Sequence, residues 1–318
     1  MLSILSIIAP IFALIASGYA ARKIGVMGQP AVAELNRFVV YLALPALLFD
    51  VMAHAGWSDL AQPGFIGAFG LACGLVFYAT VGSSLIAGRP LASASIEGLL
   101  GSYANTAYIG FPVLLMVFGK ESLVPITIAS VLTVCVLFAS AIVLIEIGSQ
   151  SERRPLRLAL KVAGSLTRNP LLIAPVLGVA YGATGLGLPA AADTFLRLLG
   201  GAASPLALVV IGLFLAEPRP IAAADARTSV AIAAVKLLVH PALTWALAIA
   251  LSVPPRLTAM AVLLAALPTG TGPFMLAEYY RLPAVVTSAV ILISTIGALL
   301  TLPLLMLATG YSGVGLAP

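Results

Sequence analysis

Charge is what this sequence has least of. Only 8% of its 318 residues are Asp, Glu, Lys or Arg, against about 25% in an average soluble domain. Hydrophobic residues reach 61% and the mean hydropathy is +1.14. That balance excludes a water-soluble globular domain and fits a polytopic membrane protein. Cysteine and histidine are scarce too, two of each. Cys73 and Cys135 both fall in apolar runs, where a free thiol behaves as a small hydrophobe, so no disulfide is expected. No Cys or His spacing suits a metal, and no cofactor motif is present. The formal net charge of +5 is not a nucleic-acid signal, because the basic residues gather in loops on one side of the membrane.

Apolar runs of about 20 residues, the length that crosses hydrocarbon, fall near 3–21, 36–54, 64–87, 96–118, 122–146, 169–184, 192–216, 228–251, 257–280 and 284–308. They predict an all-α polytopic membrane protein with ten transmembrane helices. Arg22 and Lys23 follow the first run instead of preceding it, which predicts a first membrane helix and not a signal peptide. With the N-terminus outside, the cytoplasmic side holds Arg22, Lys23, Arg37, Arg89, the run Arg153–Lys161, Arg168, Arg219, Arg227 and Arg281. The outer side holds Lys120, Arg197 and Arg256, and Lys236 lies within a span. The positive-inside rule then puts both termini on the outer side. The basic run Arg153–Lys161 needs no partner beyond anionic membrane lipid.

The longest polar connection, 148–168, divides the chain nearly in half. Prolines recur across it at similar offsets: Pro10 with Pro175, Pro45 with Pro205, Pro112 with Pro273, Pro125 with Pro283. Each half holds five predicted helices, an odd number, so the second must run inverted. The expected architecture is a five-plus-five inverted repeat, residues 1–150 and 151–318, with broken, crossing helices 4 and 9.

Those breaks carry the candidate site. Gly101–Pro112 reads GSYANTAYIGFP inside span 4, and Leu267–Phe274 reads LPTGTGPF inside span 9. Proline removes a backbone donor and glycine weakens a helix. Unwound backbone survives in a membrane only where it lines a cavity or is buried in protein. The second half-helices, starting around Pro112 and Pro273, would offer free N–H groups and the positive end of the helix dipole to an anion. Asn105, Thr106, Thr269 and Thr271 add amide and hydroxyl groups, and Gly110, Pro268 and Gly270 shape the breaks. The expected ligand is a small organic anion. Proline kinks with no ligand are an equal alternative for span 4 taken alone; the matching positions of the two breaks favour a site.

Lys236 is the cation deep inside a span, with His240 one turn on. An intramembrane ionisable residue is a functional candidate, here as counter-charge or proton-coupling group, the alternative being a lysine bound to backbone carbonyls. Asp50 and the i, i+4 pair Asp193–Arg197 lie near outer helix ends, and Glu97 and Glu278 read as solvated ends of spans 4 and 9. Enzyme signals are poor. Gly310–Gly313, GYSG, resembles the nucleophile stretch of intramembrane serine proteases, but both histidines, His54 and His240, precede it. Thr269–Gly272, TGTG, lacks the preceding strand of a dinucleotide loop.

Three stretches, NRFVVYLALPALLF (Asn36–Phe49), GSYANTAYIGFPVL (Gly101–Leu114) and LPTGTGPFMLAEYY (Leu267–Tyr280), resemble signatures of the auxin efflux carrier family, which includes bacterial carriers for malonate and related dicarboxylates. The resemblance implies a secondary carrier of a small carboxylate in the bacterial inner membrane, working by elevator-type alternating access. It also implies a scaffold of helices 1, 2, 6 and 7 that mediates a homodimer, and a transport domain of helices 3–5 and 8–10. The family's substrate-contacting asparagine matches Asn105, and its crossover prolines match Pro112 and Pro268 or Pro273. The fold is also similar to that of the bile-acid sodium symporters, which leaves a sodium-coupled carrier of larger amphipathic anions as the alternative. Their acidic sodium cluster is not apparent, so protons or uniport are expected instead.

Overall fold

The computed structural model describes residues 2–28, 30–54, 61–149, 156, 157, 160, 163, 164, 167, 170–216, 223–283 and 285–308. Arg153, Arg154, Lys161, Arg168, Arg219 and the GYSG stretch lie outside the described residues, as do the side chains of Cys135 and Glu278.

The apolar runs read from the sequence are helical over most of their described residues. In chain order these are α1 (Leu2–Lys23), α2 (Pro30–His54), α3 (Pro63–Ile86), α4 (Leu91–Ser102), α5 (Phe111–Phe118), α6 (123–148), α7 (Pro170–Gly182), α8 (Ala190–Leu215), α9 (Asp225–Ala250), α10 (Pro255–Ala265), α11 (Gly272–Tyr279) and α12 (Val285–Ala308). Span 4 is thus α4 with α5, and span 9 is α10 with α11. Six helical runs among the described residues are long and apolar enough to cross a membrane. One of them, Tyr108–Gly148, is 41 residues long and is not a single rod. Gly119 adopts φ +71°, a left-handed conformation open to glycine at little cost, and turns the chain between α5 and α6.

Three of the prolines inside helices, Pro45, Pro112 and Pro241, are accommodated by a repeated device. A π-turn at Val39–Ala43 ends two residues before Pro45; another at Thr106–Gly110 ends two before Pro112; a third at Val235–Val239 ends two before Pro241. A proline ring clashes with the carbonyl four residues back and supplies no N–H. The wider π-turn gives that carbonyl room without ending the helix.

The helices pack in two groups. In one, α1 lies along the 203–215 half of α8, while α7 lies along the 44–54 part of α2, which also meets the first half of α8. In the other, α4 packs between α3 and α6, and α9 packs on α3, α10 and α12. Small residues set the closest approach. A Cβ on Gly212 would lie 1.9 Å from the Ile15 carbonyl oxygen, and one on Gly18 would lie 2.2 Å from that of Val209. The α1–α8 backbones therefore meet through reciprocal glycines.

Candidate functional site

The two helix breaks meet. Ala104 and Thr269 form an isolated antiparallel bridge, in which Asn105 N–H donates to the Pro268 carbonyl (2.9 Å) and Gly270 N–H to that of Tyr103 (3.1 Å). The unwound backbone of each break thereby satisfies the other, as buried peptide groups require. Gly270 and Gly272 are needed here for space. A Cβ on either would lie within 2.8 Å of the Tyr103 ring, which also packs against Phe138, 5.2 Å between centroids.

Span 4 breaks earlier than its proline suggests. Helix α4 ends at Ser102, and Tyr103 is extended. Asn105 then caps the restart, its side-chain oxygen accepting from Tyr108 N–H (3.3 Å) while its carbonyl receives the N–H groups of Ile109 and Gly110. Asparagine suits that position because its short amide reaches the open N–H groups of a first turn. Pro112 lies buried beyond the π-turn, at the second position of α5, where its missing donor is tolerated. In span 9 the interruption runs from Ala266 to Thr271, with Pro268 inside it and Pro273 at the start of α11. The first turn after the break in span 4 therefore belongs to 106–109 and not to the residues after Pro112.

The remaining candidates divide by what their polar groups do. Asn105 and Thr106 are buried at the junction, and among the described residues the Asn105 amide nitrogen has no hydrogen-bond partner. Thr269 is fully buried; its hydroxyl donates to the Leu100 carbonyl (2.8 Å) and its N–H to the Ser294 hydroxyl (3.1 Å). The Thr269 hydroxyl thus caps α4. Thr271 is partly exposed.

Lys236 lies in the π-turn Val235–Val239 with no exposed surface, and its ammonium donates to the carbonyls of Ala265 (2.6 Å) and Leu267 (2.7 Å). Ala265 is the last residue of α10 and Leu267 lies two residues beyond it, so the ammonium closes the C-terminal end of α10 and the start of the interruption. The negative ends of both first half-helices are therefore taken by protein donors, Thr269 on α4 and Lys236 on α10. The restarts at Thr106 and Gly272 present the positive ends. His240 is fully buried, with Nε2 3.4 Å from Cys73 Sγ and Nδ1 lacking a partner among the described residues. Sequence reading placed Lys236 and His240 together but not Cys73.

Two further participants escaped the sequence. Tyr108 donates its hydroxyl to the Asn36 side chain (2.6 Å), linking the restart of span 4 to α2, and Ser294 of α12 holds Thr269. A hydroxyl in an apolar run was the available signal for each. Glu97 is not a solvated helix end. It is buried, accepts from the Ser84 hydroxyl (2.5 Å) and lies 3.6 Å from Arg89, beside a cavity of about 300 Å³ that Arg227 also lines. A larger cavity of about 820 Å³ lies between α9, α10 and α12. Its walls, from Leu237 and Trp245 to Leu304, carry no charged side chain, so it does not suit an organic anion.

Comparison with known proteins decides the family. The profile of the family described as membrane transport protein matches residues 3–306. The chain belongs to that family, the family of the auxin efflux carriers. It is 30% identical over 93% of its length, and 92% of the relative's, to a Rhizobium meliloti protein provisionally named a malonate transporter. It is 28% identical to an uncharacterised transporter of Methanothermobacter thermautotrophicus, over 92% of this chain and 94% of that one. Auxin efflux carrier component 8 of Arabidopsis thaliana is 24% identical over 94% of this chain and 95% of the plant protein. The chain is accordingly a multi-pass membrane transporter.

Proposed function

We propose that this transporter is a secondary active carrier of a small carboxylate, with a dicarboxylate such as malonate as the first candidate. One observation carries the reading. At the junction of the two breaks the carbonyl-bearing helix ends are occupied by Thr269 and Lys236. The restarts, that of span 4 already capped by the Asn105 side-chain oxygen, contribute the positive ends of their dipoles, and the Asn105 amide nitrogen remains for a ligand. Such a junction attracts an anion and repels a cation. The provisional name of the rhizobial relative supports malonate among the small carboxylates.

In this reading the chain is a five-plus-five inverted repeat, residues 1–150 and 151–318, in which spans 4 and 9 cross at the Ala104–Thr269 bridge. The anion is held by Asn105, Thr106 and Thr271, and Gly110, Pro112, Pro268, Gly270 and Pro273 shape the breaks. Helices α1, α2, α7 and α8 are the scaffold through which two copies dimerise. Helices α3–α6 and α9–α12 are the domain that moves, elevator fashion, between the two sides. The membrane is the bacterial inner membrane, with both termini outward. Lys236 and His240 are the coupling residues. Sodium coupling is disfavoured because the α10 carbonyls, natural ligands for a bare cation, are engaged by the Lys236 ammonium. Each net charge crossing ~100 mV is worth about 2.3 kcal/mol, so inward movement of a dianion requires co-transported protons, whereas efflux does not.

Counterflow tests the reading. Liposomes containing the purified protein and loaded with unlabelled malonate accumulate external labelled malonate in sodium-free buffer if the proposal holds. Tracer entry no faster than into empty liposomes, for malonate and related dicarboxylates alike, contradicts it.

A further inference from the structure

Where the end of α2 meets the start of α8, Asp50, His54 and Asp193 converge, one ligand-type atom from each lying within 4.8 Å of the others. We propose that these three side chains bind a divalent transition-metal cation, with Zn2+ the best fit, joining α2 to α8.

The chemistry of the ring leads to this. His54 Nδ1 lies 2.8 Å from the main-chain carbonyl of Asp50. A carbonyl only accepts, so Nδ1 carries the proton and Nε2 of the neutral ring is a bare lone pair. That lone pair lies 3.6 Å from Asp193 Oδ1, another acceptor. Two acceptors facing each other need something positive between them, a second proton or a cation. Asp50 Oδ1 is buried without a hydrogen-bond partner and lies 3.3 Å from Nδ1 of the same ring.

The surroundings are those of a metal ligand set. Asp50 and His54 are spaced i, i+4, on one helix face. The N–H of His54 that is not aimed at the metal donates to a backbone carbonyl, the usual way a ligating imidazole is oriented. Arg197 Nε lies 3.0 Å from both oxygens of Asp193. It fixes that carboxylate from outside and offsets one of the two acidic charges, leaving one net negative charge to receive the dication. An imidazole nitrogen with two carboxylate oxygens and an open position suits Zn2+, and imidazole disfavours Mg2+, which takes oxygen ligands. His54 is about half exposed, with 48% of its side chain accessible, so the metal has a route in. Because the ligands come from two helices far apart in sequence, no spacing motif announces them. The proposal is independent of the carrier reading.

The test uses the full-length protein in detergent, with any affinity tag removed and chelator-treated, titrated with Zn2+ alone. One Zn2+ per chain is expected by calorimetry. Zn2+ at ten times its dissociation constant is expected to raise the melting temperature by about 3 °C, while Mg2+ leaves it unchanged. His54→Gln is expected to weaken Zn2+ binding by about 100-fold or more without moving the metal-free melting temperature. The native protein also gives a visible Co2+ band that Zn2+ displaces, so a ligand variant that fails to fold does not remove the test. Absence of Zn2+ binding overturns the proposal and leaves a protonated His54 between two carboxylates. Binding that is unaltered in His54→Gln overturns it as well, by placing the metal elsewhere.

Discussion

The Lys236 ammonium donates to the main-chain carbonyl of Ala265 at 2.6 Å, and to that of Leu267 at 2.7 Å, in a site without exposed surface. A side chain from α9 thus closes the broken end of α10. In an apolar interior, the lysine serves the role that water or a metal ion plays at other frayed helix ends.

Removing the charge while keeping the volume is the sharpest test of that role. Lys236→Met leaves two buried carbonyls unpaired, each costing about 1–3 kcal/mol. The purified variant is expected to melt several degrees lower and to transport nothing at any pH between 5 and 8. Uptake at the native rate across that range would show that the ammonium is dispensable.

Asn105 does two jobs that substitution separates. Asn105→Ala removes the cap, worth about 1 kcal/mol, and the amide donor. Substrate affinity is expected to fall roughly 10- to 100-fold, the worth of a hydrogen bond to a charged group. Asn105→Asp keeps the cap oxygen but sets a negative charge against the anion, so binding is lost while the melting temperature stays near native. Equal affinities by direct titration in all three proteins would remove Asn105 from the site.

Thr269 separates fold from binding in the other direction. Its hydroxyl is committed to the Leu100 carbonyl, so Thr269→Val is expected to cost about 1–2 kcal/mol of stability, and Thr269→Ser to restore most of it. Malonate affinity in the serine variant is expected to match the native value within about two-fold, because the hydroxyl remains with Leu100. A large affinity loss in that variant would mean that the methyl group or the hydroxyl faces the ligand after all.

The α1–α8 contact predicts a contrast between two glycines. Gly212→Ala places a methyl group 1.9 Å from the Ile15 carbonyl oxygen and forces two backbones apart, so little folded protein is expected. Gly74→Ala meets nothing within 4 Å and is expected to be neutral or stabilising by up to about 1 kcal/mol. Expression and melting of the two proteins, measured side by side, check the pair.

These residues also show where sequence reading stopped. Helix positions were legible because a span is a run of apolar residues, and such runs need no knowledge of their neighbours. The breaks were legible as regions, since Pro112, Pro268 and Pro273 cannot continue an ordinary helix. Their exact edges were not. A π-turn before Pro112 lets the helix pass that proline, and the interruption moved back to Tyr103–Asn105, where capping decides it. Partners were less visible still. Thr269 reaches Leu100, Lys236 reaches Ala265, and Tyr108 reaches Asn36, each across a span of sequence in which nothing marks the pairing. A hydroxyl in hydrocarbon must bond something, but the sequence could not say that one partner of Thr269 is the end of α4.

The central claim is that an organic anion, without sodium, occupies the junction beside Asn105. The most direct measurement is thermal unfolding of the detergent-purified protein and of Asn105→Asp, each with and without malonate in sodium-free buffer. A ligand that binds only the folded state raises its apparent stability. The account predicts a malonate-dependent rise for the native protein and none for Asn105→Asp. Stabilisation by sodium alone with no response to malonate, or an equal malonate response in both proteins, would contradict it.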